Sequence, residues 1–236
     1  MMKALRQNQN SSLKLKMHTH PNLQIPMDYN WAEHNAVTPI RHQHKCGSCA
    51  VFSAVATVES AYLIHYGRQK LSPQSIDLSE QSVLDCLPDG ICHTGSAIDQ
   101  SWKVIKQNGI ATEKERPYLA QQTGQCNRNP ESPVSIRSWF QCSPDSEEYI
   151  QQLLLQYGPI SAIIDAPESM RHLKGPFLDY CGQVPNHAIV IVGWTQKYWI
   201  IKNSWGEKWG VNGFLHLPRG QNKCNIEAYA GVPFIR

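Results

Sequence analysis

The sequence predicts an α+β fold of two subdomains, the first mainly helical and the second mainly strands. Two observations carry this. Up to Gly109 the apolar residues recur at three- and four-residue spacing in runs that stop at a glycine. Beyond Pro159 they gather instead into short runs rich in β-branched and aromatic residues, with Pro130 and Pro133 flanking the change. With 236 residues, 41% of them hydrophobic, the chain can bury a sizeable core, and global disorder is excluded.

Residues 1–27 hold Lys3, Arg6, Lys14 and Lys16, no acid, and no apolar stretch of the roughly seven residues a secretory signal needs. They read as a flexible basic leader or a propeptide remnant, in which the sequon Asn10-Ser11-Ser12 carries little weight. The helical subdomain is assigned to residues 28–138 and the strand-rich one to 139–236. Over residues 49–66, Val51, Val55, Val58 and Tyr62 make one helical stripe, with Gly67 at its end. Ile98, Trp102 and Ile105 make a second over residues 96–108, before Gly109. Ser143 followed by Pro144 is a start signal for a third, over residues 144–157. Strands are expected at residues 160–164, 188–194, 198–202, 213–217 and 232–235.

Charge and length exclude whole classes of function. From residue 28 onward, 18 basic and 19 acidic groups leave the folded part near neutral, which argues against a nucleic-acid surface. The longest apolar runs, such as residues 189–194, fall far short of the roughly 18–20 residues of a membrane-spanning helix.

The chemistry is concentrated in three places. Cys46-Gly47-Ser48-Cys49 opens the first helix, so Cys49 sits where unpaired backbone N–H groups and the macrodipole favour an anion, and its thiol is biased toward thiolate. Asn186-His187-Ala188 begins an apolar strand, and Lys202-Asn203-Ser204-Trp205-Gly206 follows sixteen residues after His187. One Cys, one His and one Asn are the parts of a nucleophile, a base and an orienting group. Two other readings are weaker. Cys46-x-x-Cys49 alone could be a dithiol redox site, but no thioredoxin-like strand order precedes it. His18, His20, His34, His42 and His44 could suggest a metal site, yet no second ligand pair follows at finger-like spacing, and they read as solvated loop histidines.

Together with Val37-Thr38-Pro39-Ile40, Gln43 and Leu78-Ser79-Glu80-Gln81, these motifs make residues 28–236 resemble the papain family of cysteine peptidases. His187 lies 138 residues after Cys49 and Asn203 lies 154 after it, in keeping with that family's spacing of about 130–150 residues. The resemblance implies a papain-like fold, with a helical left subdomain, an antiparallel β-barrel-like right subdomain and the active-site cleft between them. It also implies a thiol endopeptidase that works through an acyl-enzyme. Cys49 would be the nucleophile, His187 its acid/base partner and Asn203 the residue orienting the imidazole. Gln43 would donate to the oxyanion together with the Cys49 N–H. Trp205, with Trp209, would shield the His187 to Asn203 hydrogen bond. Gly95 would pair with the substrate backbone beside Thr94, while Ala97, Ile163 and Ala188 would wall an apolar pocket floored by Tyr229, favouring small or medium apolar side chains.

The resemblance further implies protein or peptide substrates, cystatin-type inhibitors, no metal or organic cofactor, and a monomer. It implies the disulfides Cys46–Cys92, Cys86–Cys126 and Cys181–Cys224, leaving Cys142 over; the residues alone leave fifteen pairings of those six open. Three bridges imply an oxidising compartment, secreted or lysosome-like. Segments around residues 56–63 and the position of Cys142 resemble the mite group 1 allergen branch. Ala50 stands where the family has Trp, and Thr94 where it has the first of two glycines. The rival implied by those departures is a non-catalytic binding or decoy homologue.

Overall fold

The computed structural model describes residues 23–67, 70–128, 132, 134–182 and 184–236. The sequon at Asn10, His18 and His20, Pro130 and Pro133, and all but the end of the expected leader lie outside these. Of that leader, Ile25 packs against the sheet-side core and the Pro26 carbonyl accepts from the Trp194 indole N–H at 3.2 Å.

In chain order the elements are β1 (Tyr29–Asn30), α1 (Cys49–His65), α2 (Glu80–Leu84), α3 (Ile91–Thr94), α4 (Ile98–Asn108), β2 (Ile136–Cys142), α5 (Glu147–Tyr157), β3 (Ile160–Ile164), β4 (His187–Trp194), β5 (Tyr198–Lys202), β6 (Phe214–Pro218) and β7 (Ala230–Ile235). The third helix starts three residues later than Pro144 suggests. Ser146 is the cap, its Oγ accepting from the Tyr149 N–H at 3.2 Å, and Glu147 and Glu148 then occupy the first turn, where the helix dipole favours acids. Strand β2 was not expected from sequence, and it runs across the boundary assigned after residue 138.

Helix α1 is buried on nearly every side, as a helix at the centre of a molecule must be. Val51, Val55 and Val58 pack into the helical core with α4 and α2, whereas Ala56 meets Val190 and Val192 of β4. Its polar residues on the sheet side are all bonded. The Ser53 hydroxyl donates to the Ile189 carbonyl at 2.8 Å, and the Thr57 hydroxyl lies 2.9 Å from the Ala54 carbonyl and 3.2 Å from the Ser161 hydroxyl. Strand β4 is likewise buried along its whole length. Ile189 and Ile191 belong to the sheet-side core, while Val190 and Val192 face Ala56, which explains its unbroken apolar sequence.

The sheet is antiparallel, in the order β2-β7-β3-β4-β5-β6, with β1 extending the pairing at the far end of β4. Among the described residues it does not close into the barrel-like form expected: no pairing joins β2 to β6, so both remain edges. The junction of β1 with β4 requires a glycine, because a Cβ on Gly193 would stand 2.1 Å from the Tyr29 carbonyl oxygen. Gly193→Ala should therefore destabilise the protein by roughly 1–3 kcal/mol, read as a lower urea midpoint with unchanged slope.

Disulfides join Cys46 to Cys92 and Cys86 to Cys126 around the helices, and Cys181 to Cys224 between the segment ahead of β4 and the turn ahead of β7. Cys49 and Cys142 are free thiols. No described helix is long and apolar enough to cross a membrane.

Candidate active site

Packing α1 against β4 places the first residue of the helix, Cys49, beside the first residues of the strand, His187 and Ala188. Burial pushes the Cys49 thiol up and is the largest single influence on it. The hydrogen bond to His187, the charge of that ring, and the backbone N–H groups of Ala188 and Ala50 together outweigh it, and the thiol sits below its ordinary range.

His187 is 7% exposed. Its Nε2 lies 2.8 Å from Asn203 Oδ1, which also accepts the Ser204 N–H at 2.8 Å. Two donors therefore converge on one amide oxygen, Nε2 carries the ring's proton there, and Nδ1 is the nitrogen left for the thiol. The Trp205 ring covers the imidazole at 4.6 Å between centroids, and Trp209 meets Trp205 edge-on at 4.9 Å. Trp209 is itself pinned through its indole N–H to the Met170 carbonyl at 2.9 Å.

Gln43 is buried and held at both ends. Its backbone N–H donates to the Ser204 carbonyl at 2.9 Å, its Oε1 accepts the Ser204 hydroxyl at 2.7 Å, and its Nε2 donates to the Cys46 carbonyl at 2.9 Å. One Nε2 proton is left over for a ligand. The Tyr118 hydroxyl ties this loop to the helix start, lying 3.0 Å from the Gln43 carbonyl and 2.7 Å from the hydroxyl of Ser48. Gly47 allows the loop to approach α3, since its N–H donates to the Cys92 carbonyl at 2.7 Å and a Cβ there would sit 3.0 Å from that oxygen. Cys49, His187, Asn203 and Gln43 are thus gathered at one place from three separate stretches of chain.

Such a set, a lowered thiol bonded to an imidazole whose far nitrogen is fixed by a buried amide, equips a chain for attack on an acyl carbon. Residues 25–234 match the family described as papain family cysteine protease. The chain belongs to that family. Within it, the sequence is 37% identical over 202 residues to fruit bromelain of Ananas comosus, covering 83% of this chain and 56% of that protein. In structure it is similar to the digestive procathepsin L2 proteinase from Tenebrio molitor larval midgut, at TM-score 0.82 and 27% identity, over 90% of this chain and 69% of that one. It is also similar to the bromelain protease from Ananas comosus in complex with the E64 inhibitor, at TM-score 0.79 and 31% identity, over 90% of this chain and all (100%) of that one.

Compared with the papain pattern, Ala50 is buried among the helical core residues, where the family's Trp would stand. Ile163 faces Ala188 across β3 and β4, and both pack in one cluster with Tyr229. The Tyr229 phenol reaches Gln141 Oε1 at 3.3 Å. Ala97, named as a further wall, directly precedes α4 and is half-buried. The Gly95 N–H is committed to the Ile91 carbonyl at 2.8 Å and its carbonyl lies 3.3 Å from the Thr94 hydroxyl, so only a carbonyl lone pair is left for a bound chain. Sequence reasoning missed Ser204 and Tyr118 as orienting groups. Ser204 was legible as the neighbour of Asn203, whereas Tyr118 lies in a loop that carries no periodic signal.

Proposed function

We propose that the chain is a thiol endopeptidase. The observation that carries this is the line Cys49 to His187 to Asn203, in which the thiol is held below its ordinary range and the imidazole has one nitrogen fixed by Asn203 and the other facing the thiol. The thiol proton passes to His187 Nδ1, thiolate Sγ attacks the scissile carbonyl carbon, and the electron pair moves onto the oxygen, where the spare Gln43 Nε2–H and the Cys49 N–H receive it. The C–N bond then breaks as His187 gives its Nδ1 proton to the leaving amine, which leaves a thioester. Water attacks the thioester carbon as His187 Nδ1 takes a proton from it, and the C–S bond breaks, releasing the acid and restoring the thiolate. The chain uses its own residues for every one of these transfers.

The cluster of Ile163, Ala188 and Tyr229 supports a preference for small or medium apolar side chains next to the cleavage point. Three disulfides support a secreted or lysosome-like setting. The decisive experiment is alkylation by the epoxide E-64 at pH 6, followed by peptide mapping of the modified thiol. Cys49 should react stoichiometrically and Cys142 should not, because burial pushes the Cys142 thiol up to about 11. Label on neither residue, or only on Cys142, would overturn the reading. Gln43→Ala should lower kcat by roughly a hundred- to a thousand-fold, measured on a chromogenic peptide, with alkylation of Cys49 by iodoacetamide retained.

A further inference from the structure

Gln43 is bracketed by two histidines whose rings lie parallel, 4.2 Å apart at 8°. The His44 N–H donates to His42 Nδ1 at 2.8 Å, so that nitrogen has a free lone pair, His42 is neutral, and its proton is on Nε2. His44 adopts φ +53°, in the left-handed region that a non-glycine residue holds only when its surroundings impose it. What imposes it here is the stack and the bond to His42.

The His42 ring also abuts the segment that roofs the site. His42 pairs with Trp205 in an isolated antiparallel bridge, and a Cβ on Gly206 would stand 2.8 Å from His42 Cδ2. One imidazole thus touches both the turn that carries Gln43 and the backbone next to the ring covering His187.

We propose that His42 is a positioning residue for Gln43, and that protonating it releases the oxyanion donor while leaving the Cys49 thiolate intact. A proton added to Nδ1 turns an acceptor into a donor facing the His44 N–H, so the bond that closes the turn is lost. The remaining charged groups on the segments meeting His42 are Arg41 and Lys45 on its own loop, with Arg41 paired to Asp77, and Glu207 and Lys208 just past Gly206. Burial first, and then the neighbouring His44, hold His42 below the ordinary histidine range, which keeps it neutral at neutral pH. With the folded value depressed, the ordered turn is fully favoured above the ordinary value of about 6.5 and is lost as pH falls through the folded one. The peptidase then carries its own acid-side brake, acting on transition-state binding.

The proposal rests on the peptidase reading, and two rates separate them. Peptide hydrolysis passes through a tetrahedral oxyanion, whereas alkylation of Cys49 by iodoacetamide displaces iodide and puts no new charge on an oxygen. Both report the thiolate, so their ratio reports Gln43. Between pH 7 and pH 5 the ratio of hydrolysis to alkylation should fall in the wild type as His42 gains its proton. In His42→Asn the amide Oδ1 replaces Nδ1 as an acceptor that does not titrate, and the ratio should become flat across that range. In His44→Gly the left-handed turn is retained but the stacked ring is gone, and the fall should move to higher pH. A constant ratio in the wild type, or the same fall in His42→Asn, would overturn the proposal. If Cys49 neither alkylates nor cleaves, the peptidase reading fails by itself. The His42 tautomer, read by nitrogen-15 NMR at pH 7, then decides this one: a protonated Nδ1 sinks it and a bare one supports the turn.

Discussion

Cys49→Ser is expected to lower kcat/KM for peptide hydrolysis by roughly ten-thousand-fold or more, with the fold and the thermal midpoint nearly unchanged. The substitution keeps the size and the helix-start position. It removes the one atom whose ionisation the surroundings favour, because His187 and the backbone N–H groups of Ala188 and Ala50 act on a thiol whose unperturbed value lies close to neutrality. A hydroxyl starts far above that range, and the same contacts leave it protonated. His187 then has to act as a general base on an alcohol, with a ring fixed to suit a larger sulfur atom. Cys142→Ser serves as the control and should leave kcat/KM within about twofold, since that thiol belongs to β2 and pairs across to Ala230 rather than to the site. A Cys49→Ser enzyme with activity within tenfold of the wild type would remove Cys49 from the chemistry.

The second large effect lies directly beneath the site. Lys202, the residue before Asn203, is 6% exposed and donates through Nζ to the Thr38 hydroxyl at 2.8 Å. That hydroxyl in turn donates to Glu59, whose other oxygen accepts the Leu78 N–H at 2.9 Å. A cavity of about 20 Å³, room for a single water, opens among Glu59, Glu80, Lys202 and Asn203. Lys202→Met should cost about 3–5 kcal/mol at pH 7, because the methionine leaves the buried Glu59 carboxylate without its cation. Urea unfolding checks this, and Lys202→Met combined with Glu59→Gln should recover much of the loss. A Lys202→Met protein as stable as the wild type would mean the cluster carries no net pairing energy.

The same cluster sets a pH dependence. Burial, and then the charge of Glu59, push the Glu80 carboxyl up to about 8. Its folded value lies above its unfolded one, so its contribution is fully present below about 4.5 and is lost as pH rises toward about 8. Glu80→Gln should accordingly narrow the difference in urea midpoint between pH 5 and pH 8.

How much of this was legible in the sequence depended on whether the information was local. Helix α1 and strand β4 could be read directly, one from three- and four-residue spacing and the other from an unbroken apolar run. Strand β2 was hidden, because Arg137, Ser138 and Gln141 interrupt an edge strand that is only half-buried, and its identity comes from pairing with β7. Helices α2 and α3 are too short to show a period. Ser143-Pro144 looked like a helix start, but Ser146, with two acids behind it, supplied the cap that wins. The barrel-like closure was likewise not a local property, since it depends on whether two edges meet. In the site, the residue types were readable from their motifs, but Gln43 is oriented by Ser204 across 161 positions of sequence, which no spacing rule reveals. His42 and His44 were read as independent solvated side chains, and they are exposed, yet each is the other's partner.

The docking of α1 onto β4 also bears on how such a chain survives its own synthesis. Cys49 and His187 are joined only through the last-formed kind of contact, one between segments separated by more than a hundred residues, which is slow to close. A half-made or misfolded copy therefore holds a thiol and an imidazole that never meet, so the pair exists only in a completed fold.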